Sequence, residues 1–513
     1  MATILLVVVS LLTVNSALAA RIIGITGESS GSHYFVVRKA MEELSSRGHE
    51  VVLVKPSMEK ESRSDEEIPH KTYQVPFDSA FLEKIVIRMA IEEGMLKAIL
   101  KLNELRRVDC EHLLNDTELL QSLQNFDLVV YEAAAICSVL VADLLGIPHV
   151  VIFPISPNVA TSSYYQIPLP VSYVPVHMTS FTSKMSFIQR LMNFGMYIFS
   201  QFAAHFMFAT SMGHLKEKYN ITPEISYHEA LANYELLIIE ADFALEYPQP
   251  LLPGHIMVGP ITVQPKVNPL PPDLVDFINS AGGNGFIIVS FGSYVQTVVP
   301  KEKIDIMASA FGKLRQNVLW KLKGYIPSFL NANVKAVSWL PQNDLLAHKD
   351  IKAFVSHVGH HSLYESAYYG VPVVAYPLFG DQPSNAKKVE HFGLGIAVDH
   401  QTVNAQQLLE AIESVVNEPR FKTEAMRISQ LMKDSPRTPL EKTGDWIEYV
   451  LRHGGARHLR AQVFNIPWYQ YYLLDVIAFL VAVVTLVVMV IRLTCRCMCR
   501  VCCRRSDNKP KKE

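Results

Sequence analysis

The stretch Phe286-Ile287-Ile288-Val289-Ser290-Phe291-Gly292-Ser293 runs from four large apolar residues, three of them β-branched, into a turn of mostly small residues. A short apolar run without polar alternation predicts a strand covered on both faces, as in a parallel sheet. The turn that ends it is of the kind that lets backbone amides approach a phosphate. The same pattern recurs downstream at 318–322, 353–356 and 371–375, and upstream at 21–26, 51–54, 128–131, 150–153 and 236–239. A Gly/Ser turn at 28–32 and a helix over 34–47 separate the first two upstream strands, so the rhythm is β-α-β. That rhythm predicts the α/β class.

Between the two series the chain turns proline-rich, from Pro248 to Pro272, which is a linker composition. Two α/β halves joined in this way face a cleft, where ligands usually bind. One segment fits neither series. Residues 187–208 are rich in Phe, Met and Ile, with Arg190 and His205 the only chargeable groups. A buried helix pair is the default reading; the functional one is a surface that dips into a bilayer and admits lipophilic acceptors.

The ends of the 513-residue chain are equally distinct. An apolar run at 4–12 followed by Ala17-Leu18-Ala19 predicts a secretory signal peptide over 1–19, with a short uncleaved anchor as the bland alternative. Residues 473–493 form a second apolar run, with Asp475 its only interior charge before Arg492. At about 1.5 Å per residue this run spans roughly 30 Å, the thickness of a bilayer's hydrocarbon core. Arg496, Arg500, Arg504, Arg505 and three lysines follow, so the positive-inside rule places 494–513 in the cytosol and the body in the lumen. Five of the seven cysteines sit in that tail, where palmitoylation is the natural modification, and only Cys110 and Cys137 lie in the body. Lys509 and Lys511 resemble a dilysine retrieval signal of the endoplasmic reticulum, and the sequons at Asn115 and Asn220 fit lumenal glycosylation. A net charge of −2 offers no basic field for nucleic acid.

The residues that carry chemistry lie in the second half. In Trp339-Leu340-Pro341-Gln342 an indole can stack on a base while an amide reads its edge. His357-Val358-Gly359 leads from a strand to a helix near Ser362, which puts a diphosphate on a helix N-terminus. Glu365 can accept two hydrogen bonds from ribose hydroxyls, and Asp381-Gln382 follows the turn Pro377-Leu378-Phe379-Gly380. Singly, each has a bland reading: Trp339 as core, Glu365 as a solvated helix face, Asp381 as a turn former.

Together, Trp-x-x-Gln, His-x-Gly, Glu and Asp-Gln at this spacing resemble the signature of UDP-glycosyltransferases. With the flanking Asn343-Asp344-Leu345-Leu346 and Tyr364-Glu365-Ser366, the resemblance extends over nearly the whole chain. It is closest to the animal UDP-glucuronosyltransferases and their ceramide-galactosylating relative. It implies the GT-B type, two Rossmann-like domains facing a cleft, plus a C-terminal transmembrane helix. The expected division is an acceptor-binding domain over 20–265, a linker over 266–282 and a UDP-sugar-binding domain over 283–445. A helical segment over 446–472, the membrane helix over 473–493 and the tail then follow.

By the same resemblance Trp339 and Gln342 hold uracil, and Ser290, Gly292, Ser293, His357, Gly359 and Ser362 surround the diphosphate. Glu365 holds ribose, while Asp381 and Gln382 hold sugar hydroxyls. The family inverts the anomeric centre and uses no metal or cofactor. Its catalytic base corresponds to His33, an imidazole suited to taking an acceptor's proton near neutral pH. The carboxylate that orients the base is an aspartate in the family and Glu132 here.

Three other positions depart from the family. Val358 stands where glycine or cysteine is usual, and His361 where asparagine contacts phosphate; an imidazolium there can still donate to the diphosphate. Gln249, in Pro248-Gln249-Pro250, replaces an arginine suited to a glucuronate carboxylate. UDP-glucuronic acid is the first expectation for the donor, with UDP-glucose and UDP-galactose as alternatives. Three function classes follow: an active transferase, a catalytically weak UDP-sugar-binding relative, and a membrane-anchored lipid carrier. The acceptor, expected to be small and lipophilic, is not named by the irregular segments at 77–102 and 157–208, and a homo- or hetero-oligomer stays open.

Overall fold

In the computed structural model, residues 19–506 are described apart from 28–30, 58–67, 79–80, 82–87, 90–92, 159–163, 265 and 293–298. Ser293, Lys509, Lys511 and all but the last residue of the expected signal peptide therefore lie outside the described residues.

The upstream apolar runs become a seven-stranded sheet with the order β3-β2-β1-β4-β5-β6-β7. Its strands are β1 (Arg21–Ile25), β2 (Glu50–Pro56), β3 (His70–Tyr73), β4 (Leu128–Glu132), β5 (His149–Phe153), β6 (Leu236–Ile239) and β7 (His255–Met257). Every pairing is parallel. The downstream runs form a six-stranded sheet with the order β10-β9-β8-β11-β12-β13. It comprises β8 (Phe286–Ser290), β9 (Asn317–Lys321), β10 (Val334–Val337), β11 (Ile351–Ser356), β12 (Val373–Ala375) and β13 (Gly395–Ala397), also parallel throughout.

Four strands escape the sequence pattern, and each has a physical reason. β3, β7, β10 and β13 have three or four residues each and hydrogen-bond to a neighbour on one side only, so they bury little and carry weak periodicity. β7 sits inside the proline-rich stretch, which is thus partly an edge strand; its prolines fall outside the strand itself.

Six helices shape the site and its surroundings: α1 (Ser32–Ser46), α2 (Phe187–Phe208), α3 (Gln342–Leu346), α4 (His360–Tyr368), α5 (Gln382–His391) and α6 (Pro439–His453). α6 spans the expected boundary at 445–446. It begins with a Thr438/Glu441 capping box and returns to the first half, burying Ile447 and Val450 with Ile22, Val37 and Leu44. Arg47 fastens it there through Asp445 at 2.8 Å and Glu448 at 3.2 Å. α2 overturns the default of a buried helix pair, since most of its large apolar side chains are exposed.

A disulfide joins Cys110 to Cys137, tying the helix Met95–Asn115 to the turn before the helix Ser138–Leu145. The described residues to Leu459 form one compact unit and those from Arg460 a second. In the second unit α7 (Leu474–Ser506) is long and apolar enough, over Leu474–Arg500, to cross a membrane. Cys495, Cys497 and Cys499 on it are free and exposed.

Candidate active site

Parallel strands deliver their following loops to one edge of the sheet, and strand register decides which loops meet. In the first half Ile25 pairs with Tyr131, so the turn after β1 lies beside Glu132, the last residue of β4. His33, in the first turn of α1, reaches across to Glu132: Nδ1 lies 3.0 Å from Oε2. The carboxylate is nearly fully buried and also accepts the Ala134 N–H at 2.7 Å. Burial alone would raise its pKa, but the His33 imidazole and the Ala134 amide outweigh burial and hold it below the usual range. The extra methylene of Glu132 relative to aspartate is thus accommodated, with the imidazole about a third exposed.

In the second half Ser356 pairs with Ser290, which sets His357 against Phe291-Gly292. A Cβ at Gly292, whose φ is +78°, would lie 2.9 Å from His357 Nε2, and one at Gly359 only 2.8 Å away. Only glycines leave room for the ring on both sides. Burial pushes the His357 pKa down to about 4, against the opposing pull of Asp381, so the ring is neutral. Ser290 Oγ is buried without a hydrogen-bond partner among the described residues, which leaves it available to a ligand's oxygen.

Val358 adopts φ +56°, a left-handed backbone that a β-branched residue rarely takes. The surroundings hold it there: its N–H is 3.0 Å from Ser356 Oγ, and its carbonyl accepts Asn385 Nδ2 at 3.0 Å. A positive φ suits the glycine that the resemblance implies at this position, though not the cysteine that it also allows. The cost to this chain is roughly 1–2 kcal/mol.

Trp339 is 58% exposed, which removes the bland reading of a core residue. Near it Gln342 Nε2 donates to Glu365 Oε2 at 2.7 Å and lies 3.4 Å from Ser362 Oγ. Glu365 also accepts Thr262 Oγ1 at 3.1 Å, and burial keeps its pKa raised in spite of these donors. Asp381 Oδ2 is occupied by the His360 N–H at 3.0 Å and by Asn385 Nδ2 at 2.7 Å, so one carboxylate oxygen secures the start of α4. Gln382 Oε1 accepts the amides of Leu378 and Phe379, leaving its NH2 group for any ligand.

His361 departs most from the expected geometry. Its Nε2 is 2.9 Å from Glu240 Oε2, a nearly fully buried carboxylate of the first half, rather than turned to the phosphate turn. Glu240 Oε1 accepts the Ile261 and Thr262 amides, so it also braces the chain that leads into the second half. Burial lowers the His361 pKa, but Glu240 more than reverses this and the value is net raised. The ring of the neighbouring His360 has its Nε2 2.6 Å from the Glu240 carbonyl, and burial drives its pKa well down. His357, His360 and His361 therefore diverge, and no group of three or more metal-ligating side chains occurs among the described residues.

Because the folded His361 pKa is raised, its ion pair contributes fully below the unfolded value near 6.5 and is lost as pH rises through the folded value. Thermal unfolding midpoints are thus expected to fall over that window in wild type. In Glu240→Gln the slope is expected to flatten; equal slopes would remove Glu240 as the partner.

The sequence reading missed Glu240, Thr262, Glu246 and Lys388. Glu240 was open to detection, since it directly follows β6 at the ligand-binding edge of a parallel sheet. Gln249 was read as a donor-facing position, yet its Nε2 is 3.3 Å from the Pro168 carbonyl and buried in the first half. Its replacement of arginine therefore braces a first-half loop and says little about the donor.

Two parallel α/β sheets with nucleotide-suited turns at their facing edges define a GT-B glycosyltransferase. The calicheamicin glycosyltransferase CalG4 matches at TM-score 0.58 with 19% identity, over 84% of this chain and 98% of that one. A UDP-glucosyltransferase from Polygonum tinctorium matches at TM-score 0.59 with 16% identity, over 85% and 99%. Among curated sequences, UDP-glucuronosyltransferase 1A5 of Rattus norvegicus is 35% identical over 467 residues, 88% of this chain and 87% of its own. The human 2-hydroxyacylsphingosine 1-beta-galactosyltransferase is 35% identical over 475 residues, 90% and 86%. The family model described as "UDP-glucoronosyl and UDP-glucosyl transferase" covers residues 25–509, and the chain belongs to that family of UDP-sugar glycosyltransferases.

Proposed function

We propose that this glycosyltransferase moves a sugar, with inversion, from UDP-glucuronic acid to a hydroxyl of a small lipophilic acceptor, with His33 as general base. The observation that carries the reading is the 3.0 Å contact between His33 Nδ1 and Glu132. A carboxylate on Nδ1 holds the proton there and leaves Nε2 as the lone-pair acceptor. Nε2 takes the acceptor's proton as the oxygen attacks the anomeric carbon. The C1–O bond to UDP breaks on the opposite face, and the departing diphosphate takes the electron pair.

The diphosphate is proposed to lie between Gly292 and the start of α4, where Ser290 Oγ has no other partner among the described residues and the helix N-terminus favours negative charge. Trp339 stacks on uracil in this reading, Gln342 reads its edge and Glu365 takes the ribose. Trp339→Ala is then expected to weaken UDP binding by about 1–3 kcal/mol in calorimetric titration. An unchanged dissociation constant would place uracil elsewhere.

UDP-glucose and UDP-galactose remain the alternative donors, because the relatives include a galactosyltransferase and the family model spans UDP-glucosyl transferases. The proposed setting is the endoplasmic reticulum membrane, with α7 as a single span, the body lumenal and Asn115 and Asn220 glycosylated. Both asparagines are exposed. The disulfide supports an oxidising compartment. The test is UDP release by membranes carrying the protein, supplied with a panel of UDP-sugars and mixed lipophilic acceptors. Release with none of them, alongside intact UDP binding, would favour the catalytically weak reading.

A further inference from the structure

We propose that Arg106 selects the acceptor: its guanidinium binds an acidic group that the acceptor carries besides the reacting hydroxyl, so the preferred acceptors are lipophilic acids. This role rests on the first half being the acceptor domain, and it names the class of acceptor. Arg106 lies in the helix Met95–Asn115, three positions after Asn103 and four before Cys110, so the three share one face. Both neighbours are anchored in the first half. Asn103 Oδ1 accepts Ser211 Oγ at 3.2 Å, and Cys110 is bonded to Cys137. Between these anchors Arg106 faces the turn 133–137, which follows Glu132. Its charge reaches Tyr165 and Tyr227, whose hydroxyls donate to the carbonyls of Ala133 at 3.3 Å and Ile136 at 2.8 Å. Burial raises the pKa of both phenols, and Arg106 opposes it in each. The same turn adjoins the one that leads to His33, since a Cβ at Gly27 would lie 3.9 Å from Ala135 Cα.

Three observations select an acid as the occupant. First, Arg106 is half-buried and makes no hydrogen bond or ion pair among the described residues. A guanidinium has only donors and keeps its charge, so partial burial without an acceptor is costly until a ligand supplies one. Secondly, the nearby carboxylates are committed elsewhere. Glu132 Oε2 meets His33 Nδ1 and the Ala134 N–H, and Asp109 Oδ1 accepts the Tyr73 hydroxyl at 3.0 Å. Burial pushes the Asp109 pKa up to about 7 against Tyr73 and Arg106, so near neutral pH it is only a partial counter-charge. Thirdly, Tyr131 Oη and Ser138 Oγ, on either side of the same turn, are buried and also lack a hydrogen-bond partner among the described residues. Two hydroxyls able to donate, beside a group that can only donate, are complemented by a group that accepts without donating, such as a carboxylate or sulfate. A buried water would satisfy the hydroxyls but leave the guanidinium charge uncompensated.

The test is a binding measurement that does not depend on turnover. The whole chain, solubilised in detergent and saturated with UDP, is titrated with para-hydroxyphenyl alkanoates of increasing chain length. It is titrated in parallel with their methyl amides, which keep the phenol and lose the charge. Wild type is expected to bind at least one acid about tenfold or more tighter than its amide, the scale of hydrogen bonds to a charged group. In Arg106→Gln that advantage is expected to vanish, while the dissociation constants of the amide and of UDP stay unchanged and so report an intact fold. Wild type without a preference for any acid overturns the proposal, whatever the variant does. An equal loss for acid and amide overturns it too, as does a fall in turnover of both with binding preserved, because Arg106 then acts through Glu132. Turnover of neither phenol, alongside an intact preference in binding, counts against the transfer reading and supports the role of Arg106.

Discussion

Replacing His33 by Ala is expected to lower turnover by about 10²–10⁴-fold, the range in which a positioned general base contributes. UDP affinity is expected to change little, because the imidazole is anchored to Glu132 in the first half while the residues proposed to hold UDP lie in the second. The distinction is in which constant moves. A base acts only in the chemical step, so kcat and kcat/KM fall together and the UDP dissociation constant stays. Glu132→Gln keeps the shape but loses the charge that favours a proton on Nδ1; its kcat is expected to fall as well, with UDP binding unaffected. Equal losses of UDP binding and rate in His33→Ala would move His33 out of the base role.

Truncating Lys388 to Met is expected to destabilise the body by about 3–5 kcal/mol, the range for breaking a buried ion pair from one side. Lys388 on α5 and Glu246 of the first half are both nearly fully buried, and the ammonium is 2.6 Å from each carboxylate oxygen. Ser156 and Tyr364 donate to the same carboxylate oxygen at 2.8 Å each. One cation, one anion and two hydroxyls thus seal the two halves together with no water exposure. Removing the lysine leaves a buried carboxylate without its counter-charge. The double variant Lys388→Met, Glu246→Met removes both charges and is expected to recover most of the loss, the signature of direct coupling. Denaturant unfolding of detergent-solubilised protein measures this. Single variants within about 1 kcal/mol of wild type would mean that the pair is solvated and the halves part readily.

Much of the donor side was legible in the sequence because its parts are local. Ser290, Gly292, His357 and Gly359 each sit within a few residues of the end of an apolar strand, and strand ends in a parallel sheet are where ligands bind. Apolar runs from Arg21 to Ala375 marked nine of the thirteen strands, since a strand buried on both faces must be apolar at every position. The remaining short strands, and the return of α6 to the first half, lacked that signature. α6 is amphipathic like any surface helix, and nothing in its own residues names the partner surface.

The sequence by itself determined the class: two parallel α/β halves, a nucleotide-suited second half, and an apolar helix near the C-terminus. Periodicity and local turn chemistry suffice for that, because both are written over a few consecutive residues. Only the tertiary structure decided that His361 pairs with Glu240, 121 positions away, that Lys388 meets Glu246, and that Gln249 braces the first half. The first two contacts depend on how two separately built sheets come together, and charge pairing across 100 or more residues leaves no periodic trace; the third depends on how first-half loops meet. α2 shows the same limit from the other side. Its composition alone fits a core helix or an outward-facing one, and a buried asparagine with three backbone partners accompanies the outward turn of the phenylalanines.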